Sequence, residues 1–142
     1  MSDRVYATGV DVFACVDVLT LSIECLIETG FRVEAILWSL NSLYCRVLSG
    51  LEGCPVAISE QMQTYTRLSE DAREDAMACS IKLSATVADL EQRGFGQVVL
   101  AQAILEVLAD INDGLPVPDE DKELYLAGLV RALCSASKTA VN

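Results

Sequence analysis

Apolar residues dominate the stretch from Gly9 to Gly30, GVDVFACVDVLTLSIECLIETG, and their order along it carries the helical period. Val12, Cys15, Val16, Leu19, Ile23 and Leu26 recur at three- and four-residue spacing, while Asp17, Thr20, Glu24 and Glu28 fill a narrow stripe opposite. A strand would need strict alternation. Asp11 and Asp17 occupy odd positions but Thr20, Ser22, Glu24 and Glu28 even ones, so the solvent face would switch midway. A membrane span would place Asp17 and Glu24 well inside the bilayer, where an acidic side chain costs roughly 2.5–3.5 kcal/mol on insertion scales. The pattern therefore predicts a soluble helix with little polar surface, one of the two most buried in the protein.

A second helix is expected from Phe31 to Ser49, where Val33, Ile36, Leu37, Leu40, Leu43, Tyr44, Val47 and Leu48 share one sector. Gly30 suits a helix C-cap, and so short a turn predicts an N-terminal antiparallel helical hairpin. In such a hairpin Arg46 comes alongside the Ala14 to Asp17 region, giving an expected Asp17 to Arg46 ion pair. Trp38 lies opposite the apolar sector beside Glu34, Asn41 and Cys45. A tryptophan among polar groups is typical of an interface anchor, so these four residues form a candidate partner-binding stripe. Packing of Trp38 beneath a neighbouring element is the structural alternative.

Gly50-Leu-Glu-Gly-Cys-Pro55 ends the second helix. Helical pattern then continues without glycine or proline from Val56 to Arg93, about 55 Å if it were one helix. That is almost twice the length of its neighbours, and Ser69-Glu70-Asp71-Ala72 offers an N-cap and early acids for a break near Leu68. Ser69, Ala72 and Ala76 are small and would let a neighbouring helix approach closely, on a seam continued by Met62, Tyr65, Cys79, Leu83, Val87 and Leu90. Gly94-Phe-Gly96 introduces a fourth helix, Gln97 to Asn112, polar only along Gln102, Glu106 and Asp110 and so the other deeply buried one. Asp119 is the expected N-cap of a last helix ending near Ser137. The fold class predicted is all-α: a bundle of about five helices within a single helical domain spanning residues 1–142.

Composition adds a second property. Of the 142 residues 52% are hydrophobic, with a mean hydropathy of +0.37, yet the formal net charge is -11 and the pI about 4.2. High apolar content in a charged, soluble chain points to surface buried against another copy or a partner. The acidity disfavours nucleic acid and anionic membrane as direct partners. Glu70, Asp71, Glu74 and Asp75, together with Asp119, Glu120 and Asp121, form candidate acidic surfaces for a basic protein. Solvated helix termini would use the same residues. MSDRVYATG lacks the basic start and apolar core of a signal peptide, so a cytoplasmic location is expected.

The chemistry available is narrow. The sequence contains no histidine, which removes the commonest general base and metal ligand. No phosphate-binding, nucleophile-elbow or dinucleotide motif occurs, and the six cysteines have no zinc spacing. Cys15, Cys25, Cys79 and Cys134 sit in helical apolar patterns and are expected to act as small hydrophobes. Cys54, in the loop, is the one candidate nucleophile, with Pro55 after it and Glu52 nearby. No cofactor and no metal are expected. The function these features favour is a non-enzymatic protein-protein interaction module: a self-associating regulator, adaptor or neutralising protein, homo-oligomeric. The alternatives are a helical bundle enclosing an apolar small ligand between the first, second and fourth helices, an acidic inhibitor of a nucleic-acid-binding protein, and a thiol enzyme acting through Cys54.

Overall fold

The computed structural model describes residues 9–49, 70–114 and 118–141. They form five helices, α1 (Gly9–Thr29), α2 (Val33–Ser49), α3 (Glu70–Gln92), α4 (Gln97–Asp113) and α5 (Asp119–Val141), with no strand among the described residues. The all-α bundle read from the periodicity is the fold. The expected loop at residues 50–55, with Cys54, and the Val56 to Ser69 segment with its break lie outside the described residues.

Two corners are built from the same dipeptide. Gly30 and Gly94 take φ values of 102° and 96°, a region in which a Cβ is strained, and each is followed by phenylalanine. The Phe31 amide donates to the Leu26 carbonyl at 3.1 Å and the Gly30 amide to Ile27 at 3.0 Å. Phe95 and Gly94 repeat the pair on Leu90 and Glu91 at 3.3 and 3.0 Å. These bonds satisfy carbonyls the helix end leaves open, and both half-buried phenylalanines pack on the core.

The chain reverses at Gly30 as a hairpin requires. Ser22 on α1 is bonded to Thr86 on α3 at 2.9 Å, and Arg32 after the turn reaches Asp75, so α1 runs antiparallel to α3. From Arg32 through Ser39 to Arg46, α2 meets Asp75, Ser80 and Ser84 in turn and runs parallel to it. The two hairpin helices nevertheless make few direct contacts. Each packs mainly on α3 and α4, closing a ring in the order α1, α3, α2, α4, with α5 laid over α4 and touching α2.

The closest seam is between α2 and α3. Ser39 is buried, and its hydroxyl lies 2.9 Å from the Ala35 carbonyl and 3.0 Å from the Ala76 carbonyl on the facing helix, while Ser80 donates to it at 3.1 Å. A side-chain oxygen can reach the backbone of the opposite helix only because Ala35, Ala72 and Ala76 are small, the approach expected of Ala72 and Ala76. Ser69 lies outside the described residues.

Burial is distributed differently from the expectation. α4 is enclosed, with Val99, Leu100, Ala101, Ala103, Ile104, Leu105, Val107 and Leu108 all in the core. α1 is not a central helix. It buries Val12, Cys15, Leu19, Ile23 and Leu26, but Val10, Phe13, Leu21 and Ile27 face outward at 80, 74, 60 and 49% exposure. The central place belongs to α2, which has α3, α4 and α5 as neighbours and buries ten residues between Ala35 and Leu48, Asn41 among them, with Tyr125 of α5 against Asn41. The Asp17 to Arg46 pair does not form for the same reason. With α3 and α4 between the hairpin helices, Arg46 reaches Ser84 at 3.5 Å and Asp17 is exposed.

Leu19 and Leu21 test this placement of α1. Leu19→Ala should cost about 2–5 kcal/mol, as buried leucine truncations do, and Leu21→Ala no more than about 0.5 kcal/mol. Urea denaturation of the two variants measures it; equal losses would put both faces of α1 in the core.

Candidate interaction surfaces

The stripe proposed on α2 divides in the structure. Asn41 is fully enclosed. Its amide donates to the Leu37 carbonyl at 3.0 Å and its carbonyl oxygen accepts from the Tyr125 hydroxyl on α5. Asn41 is therefore a tie between helices, closed to any partner in this conformation. Glu34, Trp38 and Cys45 are half-buried, and Trp38 packs against the core. A second tie joins the start of α5 to the end of α4: the buried Asn112 amide donates to the Lys122 carbonyl at 3.3 Å, and the Lys122 ammonium to the Asp113 carbonyl at 2.8 Å.

The first acidic group is also divided. Glu74 is exposed, whereas Asp75 receives the Arg32 backbone amide at 3.1 Å and its guanidinium at 3.5 Å. Asp75 thus caps the first turn of α2, where a carboxylate complements the helix dipole. Glu70 and Asp71 open α3, but their side chains lie outside the described residues. Asp119, Glu120 and Asp121 are exposed. They occupy the first turn of α5, and Pro118, not the expected Asp119, holds the cap position: its carbonyl accepts from the amides of Asp121 and Lys122 at 3.1 and 3.2 Å.

Two surfaces escaped the sequence reading. On α3, Met77 and Ile81 are each 71% exposed, and Ala85 and Ala88 continue the outward stripe. The second surface is an open groove of about 470 Å³ between α1 and α4, lined by Val12, Phe13, Val16 and Ala109 together with Gln102, Glu106 and Asp110. The signal for the first was the second apolar spacing on α3. The second needs the tertiary contact of α1 with α4.

The cysteines separate into two kinds. Cys15 and Cys79 are buried, and burial, with the charges of Asp11 and Asp75 respectively, raises each thiol from its ordinary 9.0 to about 11. Cys25, expected among the apolar positions, is exposed on the outer face of α1 because that helix lies at the edge of the bundle. Cys45 is half-buried, and the Cys134 side chain lies outside the described residues. Among the described residues no group of three potential ligands could hold a metal ion, and no helix is long and apolar enough to cross a membrane.

Two outcomes follow from these environments. Tyr125→Phe leaves the Asn41 carbonyl oxygen without its donor and should cost about 1–3 kcal/mol in urea denaturation; an unchanged midpoint would mean that α5 is not held by this bond. In timed alkylation of the native protein, read by peptide mass mapping, Cys25 should react well before Cys15 and Cys79. Because both buried thiols have folded values above the unfolded one, their contribution to stability is intact below pH 9 and declines between pH 9 and about 11. Early labelling of Cys15 or Cys79 would contradict their burial. No protein-family model, no curated protein and no solved structure matches the chain, so the geometry above is what bears on its role.

Proposed function

We propose that the protein is a non-enzymatic interaction module that self-associates through the outer face of α3 and engages a second, basic protein elsewhere on its surface. The observation that carries this reading is the placement of large apolar side chains outward on folded helices, Met77 and Ile81 foremost, in a chain of net charge -11. Exposed apolar residues at helical spacing on one stripe are what a helix-to-helix contact uses, and Ala85 and Ala88 let a second helix approach closely.

Charge selects which face can meet a second copy. Around the α3 stripe stand Arg73, Glu74, Lys82 and Asp89, both signs interspersed, so two copies can pair without net repulsion. The outer face of α1 offers Asp17, Glu24 and Glu28 with no basic residue and would repel its own copy. A two-fold contact centred on α3 is the arrangement these distributions favour. Regulation, adaptation and neutralisation of a basic protein, including one that binds nucleic acid, are the roles such a module can serve, in the cytoplasm.

Sedimentation analysis tests the self-association. The wild type should run at twice the 15.3 kDa chain mass, and Ile81→Glu at once that mass with its helical circular dichroism retained. A wild-type monomer, or an Ile81→Glu dimer, would remove α3 as the contact.

A further inference from the structure

We infer that the groove between α1 and α4 is the seat of a basic amphipathic helix supplied by a partner protein. The inference rests on the reading of the protein as an interaction module and names the partner's chemistry and its place. Among the described helices, α1 and α4 are the two that contain no lysine or arginine, and they pack side by side. The groove they form is apolar along Val12, Phe13 and Val16 and carries the exposed carboxylates of Glu106 and Asp110 on its α4 edge. An occupant that matches both features has apolar side chains on one face and lysine or arginine flanking them, which is the amphipathic helix-in-groove arrangement.

Shape and charge exclude the other occupants. A small-ligand pocket encloses most of its ligand's surface, but Phe13, in the lining, is itself 74% exposed, so the groove is too open for that and suits an elongated occupant. A second copy docking by the same groove would bring carboxylates against carboxylates. An anionic membrane or a nucleic acid is repelled by the same charges. The acidic turn at Asp119, Glu120 and Asp121, expected to serve a basic partner, has the exposed Leu124 one turn along but does not line the described groove, and so supplies attraction without that seat.

The probe is a synthetic amphipathic helix of leucine and lysine, with a composition-matched scramble as its control, titrated against the full chain by fluorescence anisotropy. Tighter binding of the amphipathic order than of the scramble is expected. The pair Glu106→Lys and Asp110→Lys should weaken it by at least about tenfold, and Phe13→Ser by a similar factor, while the pair Asp119→Lys and Asp121→Lys, which changes net charge equally, should shift it by no more than about twofold. Phe13 and both carboxylates are exposed, so these variants retain the fold, which circular dichroism checks. Amide exchange should slow around Val12 to Val16 and Glu106 to Asp110 in the complex. Equal affinity for peptide and scramble, or equal losses in the two charge-reversal pairs, would overturn the groove. Protection moved to Asp119 to Asp121 would also overturn it, while leaving the wider reading of a basic partner standing. Failure of self-association would appear separately, in the sedimentation mass.

Discussion

The bundle depends on the close contact of α2 with α3, where a buried serine hydroxyl meets the backbone of the opposite helix. Ser39 stands 3.0 Å from the Ala76 carbonyl, a distance larger residues at Ala35, Ala72 or Ala76 would prevent. Burying Ser39 would be costly if its hydroxyl were unpaired, but two carbonyls and Ser80 satisfy it. With α3 drawn against one flank of α2 and α4 against the other, α2 is left with a narrow outward strip. That same arrangement moves α1 to the far side of the ring. The position of α1 at an edge, and hence the outward turn of Phe13 and Leu21, follows from a contact to which α1 contributes nothing.

The edge position gives the surface its division of charge. α1 and α4 meet along a line that carries carboxylates and no cations, whereas the outer side of α3 carries both. At about 4 Å two like charges repel by about 1 kcal/mol in bulk water and about 4 kcal/mol at the effective dielectric of a protein surface. Several such pairs are enough to decide between faces of similar apolar area. On the proposed reading, self-contact is directed to α3 and the α1 side is left to a partner of opposite sign.

Helix positions were legible in the sequence because glycine, proline and the 3.6-residue period are local signals. The enclosure of α4 was legible as well, its polar stripe being too thin to leave much in water. The edge position of α1 was not. Periodicity shows which residues share a face, but not how many neighbouring helices a face will find, and a helix apolar nearly all round can sit at the centre or border a contact surface. The expected Asp17 to Arg46 pair failed on the assumption that helices joined by a short turn pack against each other. Asn41 falls on the helical wheel beside Glu34, Trp38 and Cys45, outside the apolar sector; Tyr125, 84 residues away, supplies the donor that lets it be buried, and no local pattern announces so distant a partner. The groove depends in the same way on α1 meeting α4, residues far apart in the chain.

The joint occurrence of high hydropathy and high negative charge has a physical resolution in this arrangement. A bundle of this length can bury a full core, and the sequence supplies more apolar residues than that core takes in, so Val10, Phe13, Leu21, Ile27, Met77 and Ile81 remain outside. Left uncharged, such faces would associate without selectivity, since the hydrophobic effect has no direction. In the function proposed, carboxylates placed among the apolar residues of α1 would turn a general tendency to aggregate into a preference for cationic amphipathic surfaces, while the mixed charges on α3 would leave a copy of the same chain acceptable there. Under that proposal, specificity is a matter of where repulsion is located as much as of where apolar area is exposed.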